Sequence, residues 1–361
     1  MDQDPTDKST TLLATTGSAK LRFKPYKPAA GGMGALLSVV REAHRHTGLV
    51  EATKLLTKMN QSDGFDCPGC AWPDPDADER TAFEFCENGA KAIIAEGTKQ
   101  RVDPAFFARW SVDDLLQQTD HWLESQGRLT HPMIRLPDSN HYQAIEWEAA
   151  FSHIGQSLNS LSSPNEAIFY TSGRTSNEAA FLYQAFARNF GTNNMPDCSN
   201  MCHESSGRGL GDTIGIGKGT VSLKDFDQAE AIFVIGQNPG TNHPRMLSAL
   251  ERAKRRGSTI VSINPLRERG LEAFAHPQNP LALLGQSTSI SDLYLQVRIN
   301  GDVALLKGIM KVMAEREYDV PGSVFDHEFI DAHTFGFAEF QTALDAISWD
   351  DVLVESGLPR A

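Results

Sequence analysis

The stretch from Ala229 to Gly270, AEAIFVIGQNPGTNHPRMLSALERAKRRGSTIVSINPLRERG, limits the possible folds more than any other. Ile232–Ile235 is a short apolar run, which predicts a buried strand. The turn GQNPGTNHPR follows. Next comes a predicted helix over Met246–Arg255, with its basic residues gathered at the C-terminal end, where the helix dipole favours them. Ile260–Ile263 reads as a second strand, closed by Asn264-Pro265. Strand, helix and strand in this order form a parallel crossover unit that leaves both polar turns at one sheet edge. The expected class is α/β, with parallel sheets flanked by helices.

The pattern recurs on both sides of this unit. Ala167–Tyr170 is an apolar run that breaks at Thr171-Ser172-Gly173-Arg174 and resumes as a helix capped near Ser176 or Asn177. Phe181, Leu182, Phe186 and Phe190 are expected on its inward face. Tyr294–Arg298 predicts a further strand, followed by the turn Asn300-Gly301-Asp302 and a helix. Upstream, Met33–Met59 predicts one or two short helices separated at Gly48, with His44 and His46 as solvated surface residues. Ser111–Asp114 has the form of a helix start, and residues 147–158 have helical period. Trp110, Trp122 and Trp147 are read as core or interface aromatics. LTHPMIRLP suggests a short extended piece, and residues 328–347 suggest helix. The glycines between Gly207 and Gly219 predict a flexible, backbone-rich segment.

At 361 residues the chain has room for about two or three domains. The net charge of −13 supplies no broad basic face, which argues against a nucleic-acid partner. No apolar run approaches the roughly 20 residues that a membrane span needs. The polar first twenty residues lack a secretory signal and read as a disordered tail. Residues 21–32 read as a basic, Pro/Gly-rich strap over the surface. A cytoplasmic protein is expected. The five cysteines, Cys67, Cys70, Cys86, Cys198 and Cys202, suit metal ligation in a reducing compartment better than a disulfide framework.

Two clusters carry chemistry. Cys67 and Cys70 form C-x2-C across a Pro-Gly turn, which points both sulfurs at one metal, and Cys86 follows in an otherwise helical segment. Three thiols leave such a site one ligand short; Asp74, Asp76, a distant residue or solvent could complete it. On spacing alone a zinc knuckle is slightly favoured over an iron-sulfur relay, and a metal-free C-x2-C is the plain alternative. The second cluster is Cys202-His203 within TNNMPDCSNMCHESSG. A soft thiolate beside a titratable imidazole suits a redox metal with a proton acceptor next to it. Cys198 reads as a packed thiol. Arg174 sits on a strand-to-helix turn where it could pair with a phosphate. There is no Walker loop and no G-x-G-x-x-G after a clean strand, so a nucleoside triphosphatase is poorly supported.

The segments FDCPGCAWPD, FCENGAK, TSGRTSNEA, NNMPDCSNMCHESS, GTV, IGQNPGTNHPR, INPLRERGLE and INGDVALL together resemble the molybdopterin oxidoreductases of the dimethyl sulfoxide reductase superfamily. Within it, the chain is most similar to formate-dehydrogenase-like alpha subunits of the FdhF/YdeP type. The resemblance implies Rossmann-like parallel sheets and a small N-terminal iron-sulfur subdomain. The implied cofactors are a bis(molybdopterin guanine dinucleotide) molybdenum centre and a 4Fe-4S cluster, so the zinc preference reverses. Cys67, Cys70 and Cys86 then look like cluster ligands. The family pattern has a cysteine where Asp74 stands and a relay lysine where Asn88 stands, with Lys91 nearby. By the same resemblance Cys202 ligates molybdenum and His203 accepts the substrate proton. Arg174, Gln237, Asn238, Thr241, Asn264 and Asp302 look like pterin-guanine-dinucleotide contacts. The implied organisation is an extension over residues 1–60, an iron-sulfur segment over 61–103, part of a first pterin-binding domain over 104–197, and part of a second over 198–361. The implied function is two-electron oxidation of a small substrate such as formate, with electrons leaving through the cluster to a transfer partner. The alternative is a truncated, non-catalytic cofactor-binding module or a zinc-binding scaffold.

Overall fold

The structure is a computed structural model that describes residues 28–70, 72–196 and 202–360. The expectations for the amino-terminal tail, for residues 21–27 of the strap and for Cys198 lie outside the described residues.

Strand β1 (Ala30–Gly31) runs into helices α1 (Gly32–His46) and α2 (Leu49–Leu56). Gly48 separates the helices at φ 83°, a conformation glycine adopts without steric cost. Helix α3 (Glu87–Glu96) packs on both, burying Ala43, Leu56, Met59, Ala90 and Ile94, with Cys67 and Phe85 against the same cluster. His44 is exposed as expected, but His46 is not a surface residue. It lies three positions after buried Ala43 on the same helix face, is itself buried, and approaches Thr98 at 3.3 Å and Glu42 at 3.2 Å. The expected start at Ser111 is a capping box with Asp114. Trp110 and Trp122 meet edge to face, whereas Trp147 is exposed.

Helix α4 (Trp147–Asn159) precedes α5 (Asn177–Phe190), which Ser176 caps through the Ala179 N–H. The run Ala167–Tyr170 does not form the expected strand. Its Phe169 N–H donates to the Asn194 carbonyl, and among the described residues no strand pairs with it. A strand needs a neighbour for its ladder. Helix α5 packs its Tyr183, Phe186 and Phe190 rings edge-on against Phe169. Phe181 and Leu182 point outward at 68% and 66% exposure, and Phe186 is also half exposed, so the expected inward face is mostly uncovered. The glycine-rich stretch also departs from expectation, because Gly207, Gly209 and Gly211 lie inside helix α6 (Glu204–Ile214).

The crossover unit folds as the sequence predicts. Strand β2 (Ala231–Ile235), helix α7 (Pro244–Arg256) and strand β3 (Thr259–Ile263) follow one another. Pro244 opens α7 and left-handed Gly257 closes it, each where its backbone preference fits. Strand β4 (Ala273–Ala275) lies between β1, parallel to it, and β5 (Thr288–Ser289), antiparallel. Strand β6 (Leu293–Leu295) completes the main sheet, whose order is β6-β3-β2 with both pairings parallel. It is shorter than the expected Tyr294–Arg298, because the Arg298 N–H turns away to the Ser356 carbonyl. Central β3 is almost wholly buried. One face packs with Val234, Leu247, Leu250 and Leu271, and the other with Val297. Helix α8 (Asp302–Asp319) follows, and helices α9 (Phe337–Asp345) and α10 (Trp349–Ser356) pack on it. No helix among the described residues is long and apolar enough to cross a membrane. The molecule is a mixed α/β protein with a parallel sheet flanked by helices, as expected.

Candidate cofactor site at the strand ends

Ile235, Ile263 and Leu295 stand in register, so the three parallel strands end together and their turns leave from one edge. The Gly236 N–H reaches the Ile263 carbonyl at 2.9 Å, and the Asn264 N–H reaches the Leu295 carbonyl at 3.1 Å, carrying the ladder one residue into the turns. Asn264 is buried and spends both ends of its amide inside the protein. Its Nδ2 donates to the Gln237 carbonyl at 3.0 Å, and its Oδ1 accepts the Leu266 N–H at 3.0 Å. It therefore spaces the two turns. Asn238 donates to Glu268 at 2.8 Å across the same gap. A Cβ on Gly270 would stand 3.0 Å from the Gly240 Cα, so the turns approach closer than side chains allow. Gln237 and Thr241 are exposed at this edge, and Asp302, half-buried, begins α8 after the β6 strand. The structure thus gathers Gln237, Asn238, Thr241 and Asn264. Glycine-spaced turns at the carboxyl ends of parallel strands fit a phosphate-bearing cofactor.

The three-thiol segment lies next to this edge. Asn88 Nδ2 donates to the Thr241 carbonyl at 2.8 Å, joining α3 to the turn after β2. Cys86 is the N-cap of α3 rather than a residue within it, and its Sγ accepts the Gly89 N–H at 3.3 Å. Cys67 Sγ accepts the Gly69 N–H at 3.4 Å. A Cβ at Gly89 would fall 2.8 Å from Cys67 Sγ and 3.7 Å from Cys86 Sγ, so both sulfurs face one small space that only glycine leaves open. Burial pushes both thiols up. Gly69 opposes this at Cys67, with weaker help from the Arg245 and Arg174 charges, and Gly89 opposes it at Cys86. Each of these two thiols is also raised by the charge of Cys70, which places all three in one electrostatic neighbourhood. Among the described residues no three His, Cys, Asp or Glu side chains close around a single ion. Two soft thiols, Cys67 and Cys86, face this glycine-lined space, and thiolates are the side chains that hold both zinc and iron-sulfur clusters.

The two carboxylates considered as a fourth ligand are otherwise engaged. Asp74 pairs with Arg245 at 2.6 Å, Glu84 takes the other guanidinium nitrogen at 2.8 Å, and Asp76 pairs with Lys224 at 2.5 Å. Lys91 pairs with Glu87 within α3. Sequence reasoning did not single out Arg245 or His243, and it noted Asn88 only as standing in the place of the family's relay lysine. Arg245 lies 171 and 161 residues from its partners, so no local spacing could reveal it. His243, on the same turn, meets Trp72 at 6.4 Å between ring centres and carries a buried Nδ1 without a hydrogen-bond partner. Cys202 is exposed immediately before α6, and His203 is that helix's N-cap residue. Arg174 is exposed on the turn before α5, where Ser172 accepts its backbone N–H. A cavity of about 690 Å³ behind α3, walled by Val39, Val40, Phe83 and Phe274, is apolar and contains none of the expected dinucleotide contacts.

The molybdopterin oxidoreductase family profile matches residues 128–319. The chain is 47% identical over 350 residues to an uncharacterized oxidoreductase of Mycobacterium bovis, covering 97% of this chain and 45% of that protein. It is 48% identical over 346 residues to protein YdeP of Escherichia coli K12, covering 94% and 45%. It is 32% identical over 273 residues to the alpha subunit of the F420-dependent formate dehydrogenase 1 of Methanococcus maripaludis, covering 73% and 36%. The chain therefore spans about half the length of the first two relatives. With the strand-end turns and the family match in agreement, the chain belongs to the molybdopterin oxidoreductase family, whose members are built around a molybdenum–pterin cofactor.

Proposed function

We propose that this chain is the cofactor-binding portion of a molybdenum-dependent oxidoreductase that removes two electrons from a small substrate of the formate type. The hydrogen bond from Asn88 to the Thr241 carbonyl carries the reading. It joins the three-thiol segment directly to a turn at the strand-end edge, so a cluster and a pterin held there would be neighbours. When bound, the molybdenum–pterin centre supplies the two-electron chemistry. Gln237, Asn238 and Thr241 on the strand-end turns, with Asp302 at the start of α8 and Arg174 on its own turn, would bind the guanine dinucleotide form. Asn264 keeps the turns apart. Cys202 would ligand the metal, and His203 beside it would accept the proton. Oxidation of formate releases carbon dioxide, one proton and two electrons. The electrons would leave through a cluster on Cys67, Cys70 and Cys86 to an external acceptor. Both Cys202 and His203 are exposed, as groups that must meet a ligand and a substrate need to be.

Metal analysis of protein purified without air tests this. Iron together with molybdenum or tungsten is expected; stoichiometric zinc with neither would overturn it. Cys202→Ser should abolish formate oxidation with an artificial acceptor. Full turnover in that variant would remove Cys202 from the mechanism.

A further inference from the structure

We infer that Tyr294 is a positioning residue for the guanine dinucleotide: its hydroxyl braces the turn after β3 and, through Glu268, holds Asn238 in place on the turn after β2. The inference rests on the dinucleotide reading of the strand-end turns and deepens it. Tyr294 stands on β6, at the opposite edge of the sheet from β2, and pairs with Ser262 of β3. Its ring packs against the apolar cluster of Val234, Leu247 and Ile260, and its hydroxyl reaches past the end of β3 into the turn. There it makes two bonds. It donates to the Leu266 carbonyl at 2.7 Å and accepts the Glu268 N–H at 3.0 Å. A hydroxyl can donate and accept at once, so one oxygen closes the turn. The Glu268 side chain continues the brace, since its Oε2 accepts from Asn238 Nδ2 at 2.8 Å. The Asn238 carbonyl then accepts the Thr241 and Asn242 N–H groups, each at 3.0 Å. The path therefore runs from β6 to Asn238 and Thr241, both assigned to the cofactor.

Side chains have to shape this turn because the ladder stops short of it. The Asn264 N–H still reaches the Leu295 carbonyl, but residues 265–268 lie in no strand or helix. Asn264 Oδ1 fixes the first half by accepting the Leu266 N–H, and the Tyr294 hydroxyl fixes the second. Between them, the Arg267 guanidinium lies over the Tyr294 ring at 4.8 Å, with its Nε 2.7 Å from Glu272. A phenylalanine ring would keep that stacking, so Tyr294→Phe removes the hydroxyl alone.

The test titrates the 361-residue chain with GDP by calorimetry, with circular dichroism to check folding. Tyr294→Phe should bind GDP roughly fivefold more weakly, the scale on which a side chain that must be ordered during binding costs affinity. Glu268→Ala cuts the brace at its other end and should show the same loss. Glu268→Gln keeps an oxygen acceptor for Asn238 and should bind as the wild type does. In an Asn238→Ala background, Tyr294→Phe should cause no further loss, because residues that act through one another are not additive. A general loosening of the sheet would add to the Asn238 effect instead. Unchanged affinity in Tyr294→Phe, or additive losses, overturns the positioning role and leaves the dinucleotide reading intact. Equal losses in Glu268→Gln and Glu268→Ala would make the carboxylate itself the contact, which also overturns it. The Glu268 pair decides the question without Tyr294→Phe, should that variant misfold. A wild-type chain that binds no GDP removes the dinucleotide reading, and the role of Tyr294 with it.

Discussion

Two side chains and one missing side chain decide the thiol site. At Gly89 any Cβ meets Cys67 Sγ at 2.8 Å, well inside contact distance. Gly89→Ala is therefore expected to lower iron loading several-fold with helix content unchanged, read by iron analysis and circular dichroism; unaltered loading would show that the space is not used. Arg245 matters for a different reason. Its removal leaves Asp74 and Glu84 largely buried with no counter-charge. Because solvent still reaches part of the cluster, the expected cost is about 1–3 kcal/mol, below that of a fully buried pair. Urea unfolding of Arg245→Ala measures it. Burial would raise the Glu84 carboxyl, but hydrogen bonds from Thr81 and Arg245 outweigh burial and hold it below the ordinary 4.5. A folded-state value below the unfolded one stabilises fully above pH 4.5 and is lost as the pH falls beneath it. That acid-side loss should flatten in the arginine variant.

Among the elements, α8 carries the clearest pH dependence. Glu317, near its C-terminal end, accepts N–H groups from Gly322, Val324 and Phe325 and meets His327 Nε2 at 2.8 Å. The Gly322 N–H, then His327, hold its carboxyl down to about 2. The loop after α8 is folded around this one side chain. Its stabilisation should be complete above pH 4.5 and disappear as the pH drops towards 2. Glu317→Gln should lose that slope in an acid titration of unfolding; an unchanged slope would place the loop's anchor elsewhere. The crossover unit was readable because its two apolar runs and the helical stretch between them are local signals, although the helix starts at Pro244 rather than at the expected Met246. The run Ala167–Tyr170 carries the same kind of signal and yet makes no strand, since pairing is not a local property. The glycines of α6 misled in the opposite direction. Their low propensity weakens a helix without forbidding one.

For the whole molecule, the uncovered apolar surface stands out. Phe233 and Ile235 on β2, Phe181 and Leu182 on α5, and Phe151 on α4 are all exposed, although both faces of a parallel sheet are normally covered. The chain alone should bind a hydrophobic dye strongly and self-associate in sedimentation. A monomer with negligible dye binding would contradict this. Sequence by itself determined the α/β class, the parallel unit from β2 to β3 and the capped helices. It also pointed to the family, because each of these is written within a few turns of chain. Only the tertiary structure decided that Arg245 clamps Asp74 and Glu84, that Asn88 reaches Thr241 and that Asn264 is consumed as a spacer between turns. Those contacts join residues 27 to 171 positions apart. Hydrophobic period and capping chemistry act over one or two turns of chain, whereas a charge finds its partner through space.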